Sequence, residues 1–153
     1  MSVDIQIASD LPSLPTSEDI SSWVSLATQQ RKDAEVLIRL VDDSESAELN
    51  QAYRQKQGST NVLSFPFERP EGLPADALTE DVLGDLVICA PVVEKEAKLQ
   101  GKDVQSHWAH MIIHGCLHLQ GYDHIDAPDR ETMEALEIQL LSSININNPY
   151  EIQ

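Results

Sequence analysis

Residues 103–124 read DVQSHWAHMIIHGCLHLQGYDH, and the parsing of this stretch sets both the fold and the chemistry. Gly121 is a helix-stopping residue type, and the stretch reads as one long helix from near Asp103 to Gln120. Within it His114 and His118 lie four apart and so share a face, where two imidazoles can reach one ion. Gly121 can adopt the left-handed conformation that ends a helix and turns the chain back. That reversal would bring His124 to the same ion from outside the helix. Three neutral imidazoles suit one zinc ion and leave a fourth tetrahedral position open, the arrangement of a catalytic site. An all-helical triad of His110, His114 and His118 is the alternative. Its outer members stand about 12 Å apart along the axis, too far to share an ion easily. Cys116 lies about 200° around the helix from His114 and is expected as a small core residue.

Outward from the motif, the chain alternates strands and helices. VDIQIA at 3–8 has the two-residue period of a half-buried strand. Ser17, followed by Glu18 and Asp19, reads as a helix start, with Ile20, Trp23, Val24 and Ala27 carrying the period to about Gln30. EVLIRLV at 35–41 is a second strand. Ser44 can cap a helix through SESAELNQAYRQK, with Ala47, Leu49, Ala52 and Tyr53 on its apolar side and a stop near Gly58. TNVLSF at 60–65 is a third strand, and Ser64, Phe65 and Phe67 are expected in the core. ERPEGLPADALTED at 68–81 has no period and reads as an exposed loop. LGDLVIC at 83–89 is a fourth strand, its Asp85 placed to meet a positive partner. A helix follows from Pro91 to Gly101, and a last one begins near Asp126 with Pro128 in its first turn. Four strands and about five helices make an α/β (α+β) fold, expected as a single domain over residues 1–153. A small mixed sheet packs against the helices, with the metal site at the end of the long one.

A chain of 153 residues with 41% apolar content has enough material for one core. Neither an export signal nor a membrane span is apparent, and two cysteines without a disulfide pattern fit a reducing cytoplasm. The net charge of −16 argues against general affinity for nucleic acid. Its distribution qualifies that argument. Leu49–Phe67 and Val104–Tyr122 contain no acid at all, although 26 acids in 153 residues would place about three in each 19-residue window. The first window carries Arg54 and Lys56, the second four histidines. An ion and two cations would make a positive cleft in an acidic shell.

The chain resembles the YbeY endoribonuclease family of bacterial rRNA maturation factors. The resemblance rests on HGCLHLQGYDH at 114–124, YRQKQGSTNVLSFPF at 53–67 and LGDLVIC at 83–89, and extends to WAHMIIHG and MEALE, covering most of the chain from Leu49 onward. It implies a zinc-dependent, single-strand-specific endoribonuclease, a hydrolase of phosphodiester bonds. Such an enzyme acts on ribosomal RNA in 3′-end maturation of the small subunit and in ribosome quality control. A net acidic chain would take its positioning from the ribosome, from ribosomal proteins or from an accessory factor. No DNA or membrane partner is expected. The resemblance also implies His114, His118 and His124 as ligands and Arg54 as an activity residue. A guanidinium can hold a phosphate through two parallel hydrogen bonds and stabilise charge in the transition state; a surface ion pair is the plainer role for Arg54. Lys56 would steer phosphate. Asp123 would hydrogen-bond a ligand imidazole or serve as a turn residue.

Two competing readings remain. The histidine and glycine spacing resembles the HExxHxxGxxH peptidases, but Gly115 stands where those carry the glutamate base. A non-catalytic ribosome-associated factor with structural zinc is the other.

Overall fold

The computed structural model describes residues 2–12, 14–29, 31, 34–67, 81–122 and 127–150. Strand β2 (Ala34–Val41) carries five branched apolar residues in eight, with Glu35 and Arg39 on its less buried face, and it lies inside the sheet. Strand β1 (Ser2–Ile7) pairs with it in parallel, and on its other side β4 (Asp81–Cys89) does the same. Strand β3 (Val62–Pro66) pairs antiparallel with β4, giving the order β1-β2-β4-β3 and the mixed sheet expected. Pro66 is tolerated because β3 is an edge. At Gly84 the pairing with β2 slips by one residue, and a Cβ there would stand 2.2 Å from the Phe65 carbonyl. Only glycine fits this bulge, with φ of +137°.

Side chains alternate across the central strands and divide the core in two. Val36, Ile38, Leu40, Leu86 and Ile88 face helices α1 (Ser17–Ala27), α4 (Val104–Leu119) and α5 (Ala127–Ser142). Val41, Leu63, Val87 and Cys89 form a smaller cluster on the opposite face, with Leu49 of α2 (Asp43–Arg54) and Val92 of α3 (Ala90–Gln100). Cys116 is fully buried, as its angle from His114 predicts.

Helix α1 begins at Ser17 as its acids suggest, with Thr16 as the cap, its hydroxyl accepting from the Asp19 amide at 3.1 Å. It ends at Ala27, short of Gln30, because the Thr28 hydroxyl and amide both fold back onto the Val24 carbonyl. In α2 the expected apolar side holds at Leu49, which packs on the smaller cluster, and fails beyond it. Ala52 and Tyr53 are exposed, and the buried positions are polar, Ser46 and Asn50. Asn50 donates to the Gly58 carbonyl at 2.9 Å, and the Ser46 hydroxyl bridges the amide and carbonyl of Thr60. The inward face of α2 therefore pins a polar loop through Ser46 and Asn50 and adds Leu49 to the smaller cluster. Phe65 is half-buried against the Tyr53 ring, and Phe67 is 42% exposed, so neither belongs to the deep core expected for both. Asp85 is exposed and meets no cation among the described residues. The loop expected at 68–81 lies outside the described residues up to 80; Asp81 opens β4.

After α5, Asn145 takes a left-handed turn, φ 65°, and the chain doubles back with Ile146 against the main core. Among the described residues no helix is long and apolar enough to cross a membrane.

Candidate active site

Helix α4 is the buried spine of the molecule. Of the nine residues Met111–Leu119, only His114 and His118 are not buried, and their rings approach to 4.8 Å between centroids. Gly121 ends the helix as its spacing predicts, with φ of +100°. The amide of Gly121 donates to the His118 carbonyl at 3.0 Å and that of Tyr122 to the Leu117 carbonyl at 3.1 Å, the paired bonds of a Schellman reversal. The chain thus turns immediately before the third proposed ligand. His124 and its neighbour Asp123 lie outside the described residues.

Arg54 and Lys56 line the same cleft as His114 and His118, a space of about 760 Å³. Arg54 is the last residue of α2, and Gln55 beyond it adopts the left-handed conformation, φ 56°, which turns the chain back along β3. The Arg54 guanidinium donates to the Ser64 carbonyl at 3.3 Å. Among the described residues no carboxylate lies within ion-pair distance of it, and none lines the cleft. The two acid-free segments of the sequence meet here. Tyr122, 37% exposed, closes the cleft beside His118 and presents an aromatic face that composition did not single out.

Behind His114 lies a carboxylate that the sequence reading missed. Glu137 of α5 is fully buried; its Oε1 accepts from His114 Nδ1, and its Oε2 accepts from the Tyr150 hydroxyl. His110 Nε2 is 3.3 Å from the same Oε2. Burial pushes the Glu137 carboxyl up, but hydrogen bonds from His110, His114 and the Tyr150 hydroxyl outweigh it and hold the group at about 2. Burial and the adjoining Glu137 raise the Tyr150 phenol. His110, His114 and Glu137 place three ligand atoms within 4.8 Å of one another, a group that could hold a metal ion. Direct hydrogen bonding between His114 and Glu137 favours a different division of labour. With its proton on Nδ1 toward Glu137, His114 carries its lone pair on Nε2, the tautomer of a carboxylate-supported ligand. The signal for Glu137 was present in the sequence: it occupies the buried stripe Met133, Glu137, Leu140, Leu141, where an acid requires a partner. Tyr150 carried no such signal. His107, the far member of the histidine stripe, pairs with Glu96 at 2.9 Å and belongs to another region.

The profile of the family described as Endoribonuclease YbeY matches residues 6–145. The chain belongs to the YbeY endoribonuclease family. An Endoribonuclease YbeY from Methylococcus capsulatus (strain Bath) is 56% identical over 137 residues, covering 90% of this chain and 87% of that protein. The solution structure of TM1509 from Thermotoga maritima superposes with a TM-score of 0.59 at 24% identity, covering 96% of this chain and 99% of that one, a likeness of fold. As a YbeY-family member the chain is an endoribonuclease, a hydrolase whose substrate is RNA.

The cleft of this YbeY-family chain also bears on the peptidase alternative. A Cβ on Gly115 would stand 2.8 Å and 3.0 Å from the two methyls of Leu86, which is itself fully buried. The position that holds the general base in HExxH peptidases is therefore pressed onto the sheet, on the side away from the cleft. A glutamate there would be buried against Leu86 instead of reaching a substrate.

Proposed function

We propose that residues 1–153 form a single zinc-dependent endoribonuclease domain that cuts single-stranded RNA, with His114, His118 and His124 holding the ion. The observation that carries this reading is the cleft shared by His114, His118, Arg54 and Lys56, which no carboxylate lines among the described residues. Imidazole donors favour zinc over magnesium or calcium, whose ligands are oxygen. A zinc ion held there supplies Lewis-acid polarisation of a phosphoryl oxygen and a lowered pKa for water. The protein's own residues do the rest. Arg54, already donating to a carbonyl at the cleft wall, offers its remaining N–H groups to the phosphate and to charge that develops on it. Lys56 steers phosphate into the cleft, and Asp123 supports the neighbouring His124. The acidic remainder of the surface repels RNA elsewhere and concentrates binding at this cleft.

The biological substrate in this reading is ribosomal RNA, cut in 3′-end maturation of the small subunit and in ribosome quality control in the cytoplasm. A chain of net charge −16 with two cleft cations takes its positioning from ribosomal proteins rather than from its own surface. The test is purified protein incubated with single-stranded RNA, duplex RNA and casein, with and without a zinc chelator. Cutting of single strands alone, abolished by chelator, is expected. Chelator-insensitive cutting, or cleavage of casein, would overturn the assignment.

A further inference from the structure

The segment after α5 is held in place at several points. Lys102 Nζ donates to the Pro149 carbonyl at 2.9 Å, the Asn148 side chain accepts from the Tyr150 amide at 2.8 Å, and Ile146 packs into the main core. These contacts deliver the Tyr150 ring edge-on to His110, 5.4 Å between centroids, with its hydroxyl on Glu137. The family profile ends at residue 145, so Tyr150 lies beyond the matched stretch.

We propose that Tyr150 and Glu137 are positioning residues for His114, making the C-terminal tail a working part of the metal site. The inference rests on the assignment of His114 as a zinc ligand. Glu137 has two carboxylate oxygens and divides them: Oε1 takes the Nδ1 proton of His114, and Oε2 takes the Tyr150 hydroxyl. A buried carboxylate anchored at one oxygen only can rotate about its terminal torsion, which is soft. Anchoring the second oxygen from the tail fixes the carboxylate plane. The plane in turn fixes both the tautomer and the ring orientation in which His114 presents Nε2. His110 Nε2, 3.2 Å from the Tyr150 oxygen and 3.3 Å from Glu137 Oε2, is a second partner at the same corner, so Oε2 is held by the tail and by α4 together. The hydroxyl is what matters in this account, since a phenylalanine would keep the ring contact with His110.

The experiment measures the zinc dissociation constant of the full chain by competition with a chromogenic chelator, for wild type, Tyr150→Phe, Glu137→Gln and His114→Ala. Nitrogen-15 imidazole spectra of the zinc-free proteins report the His114 tautomer. Glu137→Gln should weaken zinc binding by about tenfold to a hundredfold, the scale for removing an outer partner of a ligand. Tyr150→Phe should weaken it about threefold to tenfold, the loss of one hydrogen bond. In both variants the His114 signals should move from a single tautomer toward a mixture. A Tyr150→Phe protein that binds zinc as tightly as wild type overturns the inference. So does a Glu137→Gln protein as zinc-free as His114→Ala, which would make Glu137 itself a ligand. Wild type that binds no zinc would instead refute the metal assignment beneath it.

Discussion

Arg54 ends α2 with its guanidinium 3.3 Å from the Ser64 carbonyl and no acid beside it among the described residues, and its proposed task is to hold the substrate phosphate. Arg54→Ala should leave zinc content at the wild-type level while single-strand cleavage falls by roughly tenfold or more, the loss of a charge-assisted contact. Zinc loss in that variant would contradict the role. At the buried end of the stripe, burial lowers the His107 pKa despite its hydrogen bond to Glu96. A depressed folded pKa means that the unfolded chain takes up the proton first as pH falls. His107 therefore contributes stability that is complete above its ordinary value of 6.5 and is lost as pH drops below it. Urea titrations of wild type from pH 8 to pH 5, roughly the range over which an unfolded histidine titrates, should show this decline, and His107→Gln should flatten it. An equal slope in both proteins would assign the decline to other groups. Single residues were legible where type and spacing coincide. His114, His118 and Gly121 were, because a helix repeats its faces. Glu137 was not, because its partners come from other elements.

At the scale of elements, α4 sits against β4 through Gly115 and Leu86, and the helix approaches the sheet only because that Cβ is missing. Gly115→Ala gains about 1 kcal/mol of helix propensity but forces Leu86, which has no exposed side to move toward, at a cost of about 1–3 kcal/mol. The expected outcome is a lower urea midpoint at unchanged m-value; a midpoint at or above wild type would mean that the sheet yields. Periodicity found every strand and helix described here, since burial on one face or two imposes it. Boundaries were harder. Thr16 caps α1 and Ser17 is its first residue; both are capping types and only geometry separates them. The polar inward face of α2 was invisible because Ser46 and Asn50 are buried by a loop they hydrogen-bond, not by apolar neighbours.

The whole molecule is an acidic shell of net charge −16 around a cleft lined by Arg54, Lys56 and two histidines. Two cations imply few released counterions, so the log–log salt slope for single-stranded RNA binding should be shallow, between about −1 and −2. A slope steeper than about −4 would require a phosphate-binding surface beyond this cleft. The sheet's mixed character and the meeting of two acid-free windows could be read ahead. The tail could not, since Tyr150 reaches Glu137 only through the reversal at Asn145. The account stands on His118 and His114 opening into the cleft as ligands while His110 packs behind them. The direct measurement is the rate of single-stranded RNA cleavage as zinc is added back to chelator-stripped His118→Ala and His110→Ala proteins. Recovery of His110→Ala and none in His118→Ala is predicted; cleavage by His118→Ala at the wild-type rate, with His110→Ala inactive, would contradict it.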